Sequence, residues 1–175
     1  MYLICESAAS ILVLLKFVVS QIVMGKKVSS DLAGFLKRFP ENVQETTLWL
    51  RNFVWDLYPD SNELIYDNYN ALAIGFALTD TAGSAFCSIA VYSKYVNFGF
   101  LRGTEISDPE KKLTGGGSLY RYLRVTETKD FPKAYMKKLL REARTNALTR
   151  LKGDKQTLKG TILTKAVSEK KRRIK

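Results

Sequence analysis

Residues 71–101 read ALAIGFALTDTAGSAFCSIAVYSKYVNFGFL, and their alternation decides the fold class. In Ala71–Leu78, the side chains of Leu72, Ile74, Phe76 and Leu78 fall on one side, and Ala71, Ala73, Gly75 and Ala77 on the other. A period of two is the mark of a strand with one apolar face. Residues 79–84 (TDTAGS) carry the Asp, Gly and Ser of a hairpin loop. Ala85–Tyr92 then sets Cys87, Ile89 and Val91 on one face. Ser93 and Lys94 turn the chain into Tyr95–Leu101, where Val96, Phe98 and Phe100 point together.

Working outward, Glu63–Tyr69 is a further strand, and Leu119–Val125 is the last one. Between strands lies a long loop holding Asp108-Pro109 and Gly115-Gly116-Gly117. Upstream, Ser29-Ser30-Asp31 offers helix caps before Leu32, Phe35, Leu36 and Phe39, and Pro40 ends that pattern. Glu41–Leu57 is the main N-terminal helix, with Val43, Thr47, Leu50, Val54 and Leu57 at steps of three and four. Tyr58-Pro59-Asp60-Ser61-Asn62 closes it with a turn. Downstream, Asp130-Phe131-Pro132 opens a helix whose buried stripe is Tyr135, Leu139, Ala143 and Ala147. Helices, then hairpin-linked strands, then a helix argue for an α+β fold. The expectation is an antiparallel sheet of about five strands with the N- and C-terminal helices on one face.

The organisation expected is an apolar N-terminal extension over 1–27, a domain over 28–149, and a basic, disordered tail over 150–175. The apolar stretch Ile11–Val23 is broken by Lys16, Ser20 and Gln21, and it is short for a membrane span of about 20 residues. It also lacks the charge pattern and cleavage site of a signal peptide. Three readings stay open for it: a helix packing on the domain, a weak membrane anchor, or sequence preceding a true start at Met24. A cytoplasmic protein without a membrane partner is expected.

The chain of 175 residues is 46% apolar, so it has the material for a core. It contains no histidine. That excludes Ser-His-Asp and Cys-His catalysis, and every His-ligated metal site. The two thiols, Cys5 and Cys87, share no short spacing, and Cys87 reads as a small core residue. The net charge of +11 is uneven. Residues 129–175 hold 16 basic and 4 acidic side chains, while the other 128 residues hold 12 and 13. The basic arm suits phosphates or an acidic partner.

Four pieces carry a resemblance: LYPDSNELIYDNYNALAIGF (57–76), CSIAVYSKYVNFGF (87–100), DPEKKLTGGGSLYRYLRV (108–125) and KAYMKKLLREA (133–143). In that order and spacing, Leu48 to Ala143 resembles the YdhG-like family, a bacterial domain of largely unknown function. The resemblance implies a frataxin-like layout, and an iron-binding or iron-chaperone role is known in the family. Frataxin-type iron binding would place an acidic ridge at Glu41, Glu45, Asp56, Asp60, Glu63 and Asp67.

Three sets of residues are candidate sites. The carboxylates Asp56, Asp60, Glu63 and Asp67 could hold a hard cation, iron included, through oxygen; equally, they suit a solvated helix end and turn. Arg102, Lys111, Lys112, Gly115, Gly116, Gly117, Arg121 and Arg124 could cradle an anion on glycine amides. The ordinary alternative is a flexible loop followed by a strand with exposed arginines. Tyr120 and Tyr122 share a strand face with Arg124, which could stack a base or a flat ligand. Lys170, Lys171, Arg172 and Arg173 could contact nucleic acid through phosphates. The leading expectation is a non-enzymatic binding module for a small ligand or a protein partner. The alternatives are an iron-handling protein of frataxin type and a nucleic-acid accessory protein acting through its tail.

Overall fold

The computed structural model of the chain describes residues 26–151 and 158–170. Helix α1 (Ser30–Leu36) starts where the Ser29 hydroxyl accepts the Leu32 N–H at 3.3 Å, the capping expected of Ser-Ser-Asp. Helix α2 (Glu41–Leu57) follows Pro40 directly and buries Val43, Leu50, Phe53, Val54 and Trp55. Thr47, on the same stripe, is fully buried and donates its hydroxyl to the Val43 carbonyl, so no polar atom there is stranded.

Five strands follow as hairpins and short connections: β1 (Asn62–Asp67), β2 (Leu72–Ala77), β3 (Ala85–Val91), β4 (Val96–Phe100) and β5 (Arg121–Val125). Each pairs antiparallel with the next. Helix α3 (Lys133–Leu151) lies across β3 and leads the chain back to the far edge of the sheet. There β6 (Ile162–Val167) pairs parallel to β1, giving six strands in the order β5-β4-β3-β2-β1-β6. No helix among the described residues is long and apolar enough to cross a membrane.

Two expectations are corrected here. The sheet is mixed rather than wholly antiparallel, because β6 enters it from the same end as β1. A strand also stands inside the region expected to be a disordered tail. Thr161, Ile162, Leu163 and Thr164 form a short strand-prone run within basic sequence. Its hydrogen-bond partners lie almost 100 positions earlier, in β1. Gly160 turns the chain into β6 at φ +59, with its N–H bonded to the Asp60 carbonyl. The rest of the N-terminal extension (1–25) and of the tail (152–157 and 171–175) lies outside the described residues.

The register sorts the sheet into two unlike faces. Ile65, Ile74, Ile89, Phe98 and Leu123 form one continuous row from β1 to β5. Leu72, Val91, Val96 and Val125 form the next row on the same face. This inner face meets the helices, where Phe98 packs edge-on against Phe53 and Phe131. Burying each such aliphatic or aromatic side chain contributes roughly 1.5–3 kcal/mol. Cys87 sits on this face, fully buried, and burial pushes its thiol well above the usual value. It is the small core residue the sequence suggests.

A buried ion pair ties the N-terminal end to this core. Arg51 of α2 and Glu63 of β1 are both wholly buried, with Arg51 Nε 3.0 Å from each carboxylate oxygen. Trp55 Nε1–H donates to Glu63 Oε2 at 2.6 Å. The Arg51 guanidinium also donates to the backbone carbonyls of Lys26 and Lys27. Every polar end of the pair therefore has a partner, which a buried charge requires.

Candidate functional site

The outer face of the sheet carries a different chemistry. Its rows, read from β1 to β5, are Leu64–Gly75–Ser88–Gly99–Tyr122 and Tyr66–Ala73–Ala90–Asn97–Arg124. Small residues on β2 and β3 make a low floor. Larger side chains stand at either side, and neither row contains an Asp or Glu.

On the β3–β4–β5 side the large groups gather into one platform. Tyr92 and Tyr95 close the β3–β4 hairpin with rings 5.0 Å apart. The Arg124 guanidinium lies 4.0 Å over the Tyr95 ring, a cation–π contact. Tyr120 and Tyr122 stack at 5.8 Å. Tyr120 lies directly on Gly99, where a Cβ would overlap its ring, and its hydroxyl is 3.4 Å from that of Ser88. Gly99 is thus fixed by close approach rather than by a turn. Burial, first of all, raises the pKa of Tyr120, and likewise of Tyr92, where Arg124 opposes it. Both phenols are neutral donors at neutral pH.

Asn97 lies in its row between Ala90 and Arg124. It is 6% exposed, and its Oδ1 is buried without a hydrogen-bond partner. An orphaned buried acceptor costs about 1–3 kcal/mol, so its presence on this face calls for an explanation. Arg124 is exposed, and among the described residues it forms no ion pair. The platform therefore offers aromatic faces, a guanidinium free of carboxylates, and an unused acceptor.

The structure keeps Tyr120, Tyr122 and Arg124 together, as alternation suggests, with Tyr120 just ahead of β5. It disperses the rest of the anion-cradle set. Arg102 pairs with Glu105, which also takes Arg150. Lys112 pairs with Glu110 and lies over the Tyr135 ring. Lys111 is exposed at φ 50. Arg121 donates to the carbonyls of Gly117 and Tyr120, so the guanidinium is spent on the loop itself. Gly116 and Gly117 are exposed, with no atom near where a Cβ would stand. Gly115, at φ +135, sets Thr114 against β5, where it exchanges both backbone hydrogen bonds with Tyr122. The glycine loop thus caps the edge of β5.

Beside it lies a pocket of about 280 Å³ lined by Gly103, Thr104, Ile106, Asp108, Leu113 and Arg121. Its polar groups are committed to the loop. The Asp108 carboxylate accepts from the Tyr135 hydroxyl and from the N–H groups of Lys112 and Leu113. Burial opposes these bonds, yet they hold the Asp108 pKa below the usual range.

The four metal candidates do not meet. Glu63 is bound by Arg51 and Trp55, and Asp67 is buried 3.7 Å from the Arg38 guanidinium. Asp60 pairs with Arg144 at 2.9 Å, and Asp56 is exposed at the end of α2. Among the described residues, no cluster of three or more Asp, Glu, Cys or His could hold a metal ion. Glu41 and Glu45 stay exposed on α2. Of the tail cations only Lys170 is described, and it is exposed; Lys171, Arg172 and Arg173 lie outside the described residues.

Sequence reasoning missed Tyr92, Tyr95, Asn97 and Gly99 as parts of a site. The YSKY turn at 92–95, with a tyrosine on each side, was the available sign. Comparison with family models, curated proteins and solved structures finds no match to this chain.

Proposed function

We propose that the domain is a non-enzymatic binding module whose ligand docks on the outer face of the sheet, at Tyr92, Tyr95, Tyr120, Tyr122 and Arg124. The observation that carries this reading is the unpartnered, buried Oδ1 of Asn97 beside four tyrosines and an unpaired guanidinium. Binding sites combine apolar and aromatic lining with a few convergent polar groups. The platform has both, whereas the pocket by Asp108 has spent its polar groups on its own loop. A flat ligand that stacks on tyrosine and carries a negative group fits this set of partners.

The test is a titration of ¹⁵N-labelled protein with small aromatic carboxylates and heteroaromatic compounds. Amide shifts are expected at Ser88, Asn97, Gly99 and Tyr122. Shifts confined to Gly103, Leu113 and Arg121 would move the site to the neighbouring pocket and refute the reading. An absence of shifts with every compound would refute it as well.

A further inference from the structure

The outer face extends well past the platform, and its length bears on what binds there. The sheet runs from Tyr122 on β5, over Gly99, Ser88 and Gly75, to Leu64 on β1. The adjoining row ends on Tyr66, a half-buried outer-face aromatic packed against the Leu64 cluster. Four inter-strand steps of about 4.8 Å separate β5 from β1, a track of roughly 19 Å. A single heterocycle covers only a fraction of it. In the first row Tyr120 covers Gly99, and Gly75 and Leu64 are buried; in the second, the floor between Asn97 and Tyr66 is Ala90 and Ala73, both partly exposed, so a chain lying along that row meets no bulky side chain.

Each group on the track matches one part of a nucleotide. The tyrosine faces suit base stacking, which tolerates any base. Asn97 Oδ1 is an acceptor, and bases present N–H donors on their edges. Arg124 is exposed beside the Tyr95 ring and, among the described residues, pairs with no carboxylate, which suits phosphate. The absence of carboxylates from both rows removes the repulsion that a phosphate backbone would meet.

We infer that this face binds single-stranded nucleic acid: a base stacks on Tyr122, its N–H donates to Asn97 Oδ1, its phosphate meets Arg124, and the strand crosses the small-residue floor toward Tyr66. This rests on the platform being the ligand site, and it names the ligand class.

The experiment uses the full chain and a fluorescein-labelled ten-nucleotide single strand of mixed sequence, read by anisotropy. Binding is expected to fall about tenfold in Tyr122→Ala, through loss of stacking. Arg124→Ala should reduce the slope of log K against log salt by about 0.7, one phosphate contact. Asn97→Leu removes the orphaned acceptor; it should weaken binding while leaving the melting temperature equal or higher, a split that a merely structural role would not produce. An unlabelled single strand should compete well ahead of a mononucleotide, inorganic phosphate or a duplex of the same sequence. Equal competition by the mononucleotide would overturn the strand while sparing the platform. Equal competition by duplex, or binding unchanged in both Tyr122→Ala and Arg124→Ala, would overturn the inference and place the contact on basic charge elsewhere. Absence of any binding would overturn it too, and the small-compound titration then decides the platform reading separately.

Discussion

Removing the Glu63 carboxylate tests how the N-terminal end is held. In Glu63→Ala, Arg51 stays on α2, wholly buried, with its two Nε contacts gone and Trp55 Nε1–H left without its acceptor. Only the carbonyls of Lys26 and Lys27 still face the guanidinium. Breaking a buried pair from one side costs about 3–5 kcal/mol, because an uncompensated charge remains. For a domain of this size, about 4 kcal/mol lowers the melting temperature by roughly 8–16 °C. Urea unfolding followed by circular dichroism measures the loss. The double variant Arg51→Met/Glu63→Leu removes both charges and should be less destabilised than Glu63→Ala. It should also release residues 26–29, since Lys26 and Lys27 lose their anchor, and tryptic cleavage at those two lysines should quicken. A cost below about 1 kcal/mol for Glu63→Ala, or a double variant worse than the single, would refute the account of Arg51 as a buried clamp.

Other outcomes follow from the same structure. Gly160→Ala forces a Cβ into positive φ and against the Pro59 carbonyl, so about 1–2 kcal/mol should be lost, with amide exchange quickening first along β6. Gly99→Ala should displace Tyr120 from the sheet, visible as a lowered Tyr120 pKa by ultraviolet titration, because burial is what raises it. Asp108 is held below its unfolded pKa by Tyr135, Leu113 and Lys112; its contribution to stability is present above the unfolded pKa and is lost as pH falls through the folded one. Asp108→Asn should therefore flatten the acid limb of a stability–pH curve. Anaerobic Fe(II) calorimetry on Asp60→Ala/Asp67→Ala should match the parent protein, because Asp60 and Asp67 already face Arg144 and Arg38; heat lost in the variant would revive the acidic-ridge reading.

Much of the fold was legible because its determinants are local. The alternation in 71–101 placed β2, β3 and β4 to within a residue or two, and the three-four spacing placed α2 at Glu41–Leu57. What escaped was non-local. The run at 161–164 carries no long alternation, and its strand is completed only by the free edge of β1. Gly160 was the one local sign, a turn glycine directly before β-branched residues. The acidic candidates misled for a related reason. Asp56, Asp60, Glu63 and Asp67 are near one another in sequence, but the period of two sends Glu63 and Asp67 to the inner face. There the α1–α2 turn and α2 bring Arg38 and Arg51 against them. Arg51 reads in sequence as a stray cation in an acidic stretch, yet it is the partner that lets Glu63 be buried at all.

The site was half legible for a reason that also argues for its use. Tyr120, Tyr122 and Arg124 share a face by alternation within one segment, so sequence alone pairs them. Tyr92, Tyr95 and Asn97 join them only through the β3–β4–β5 register. That register is set by the inner face, whose unbroken apolar row leaves it little freedom: a slip of one residue would turn Ile89, Phe98 and Leu123 to the outside. The outer residues are therefore positioned by packing they take no part in. Packing does not explain their identities, however. A face chosen for stability alone would not leave Asn97 Oδ1 buried and unbonded, since an apolar residue of similar size removes that cost. Nor would it put Gly at position 99 of a central strand, where the residue weakens the strand and serves only to admit the Tyr120 ring. Two local costs, next to each other on the one sheet face that meets no described helix, are what a binding surface leaves behind when it is built on a rigid scaffold.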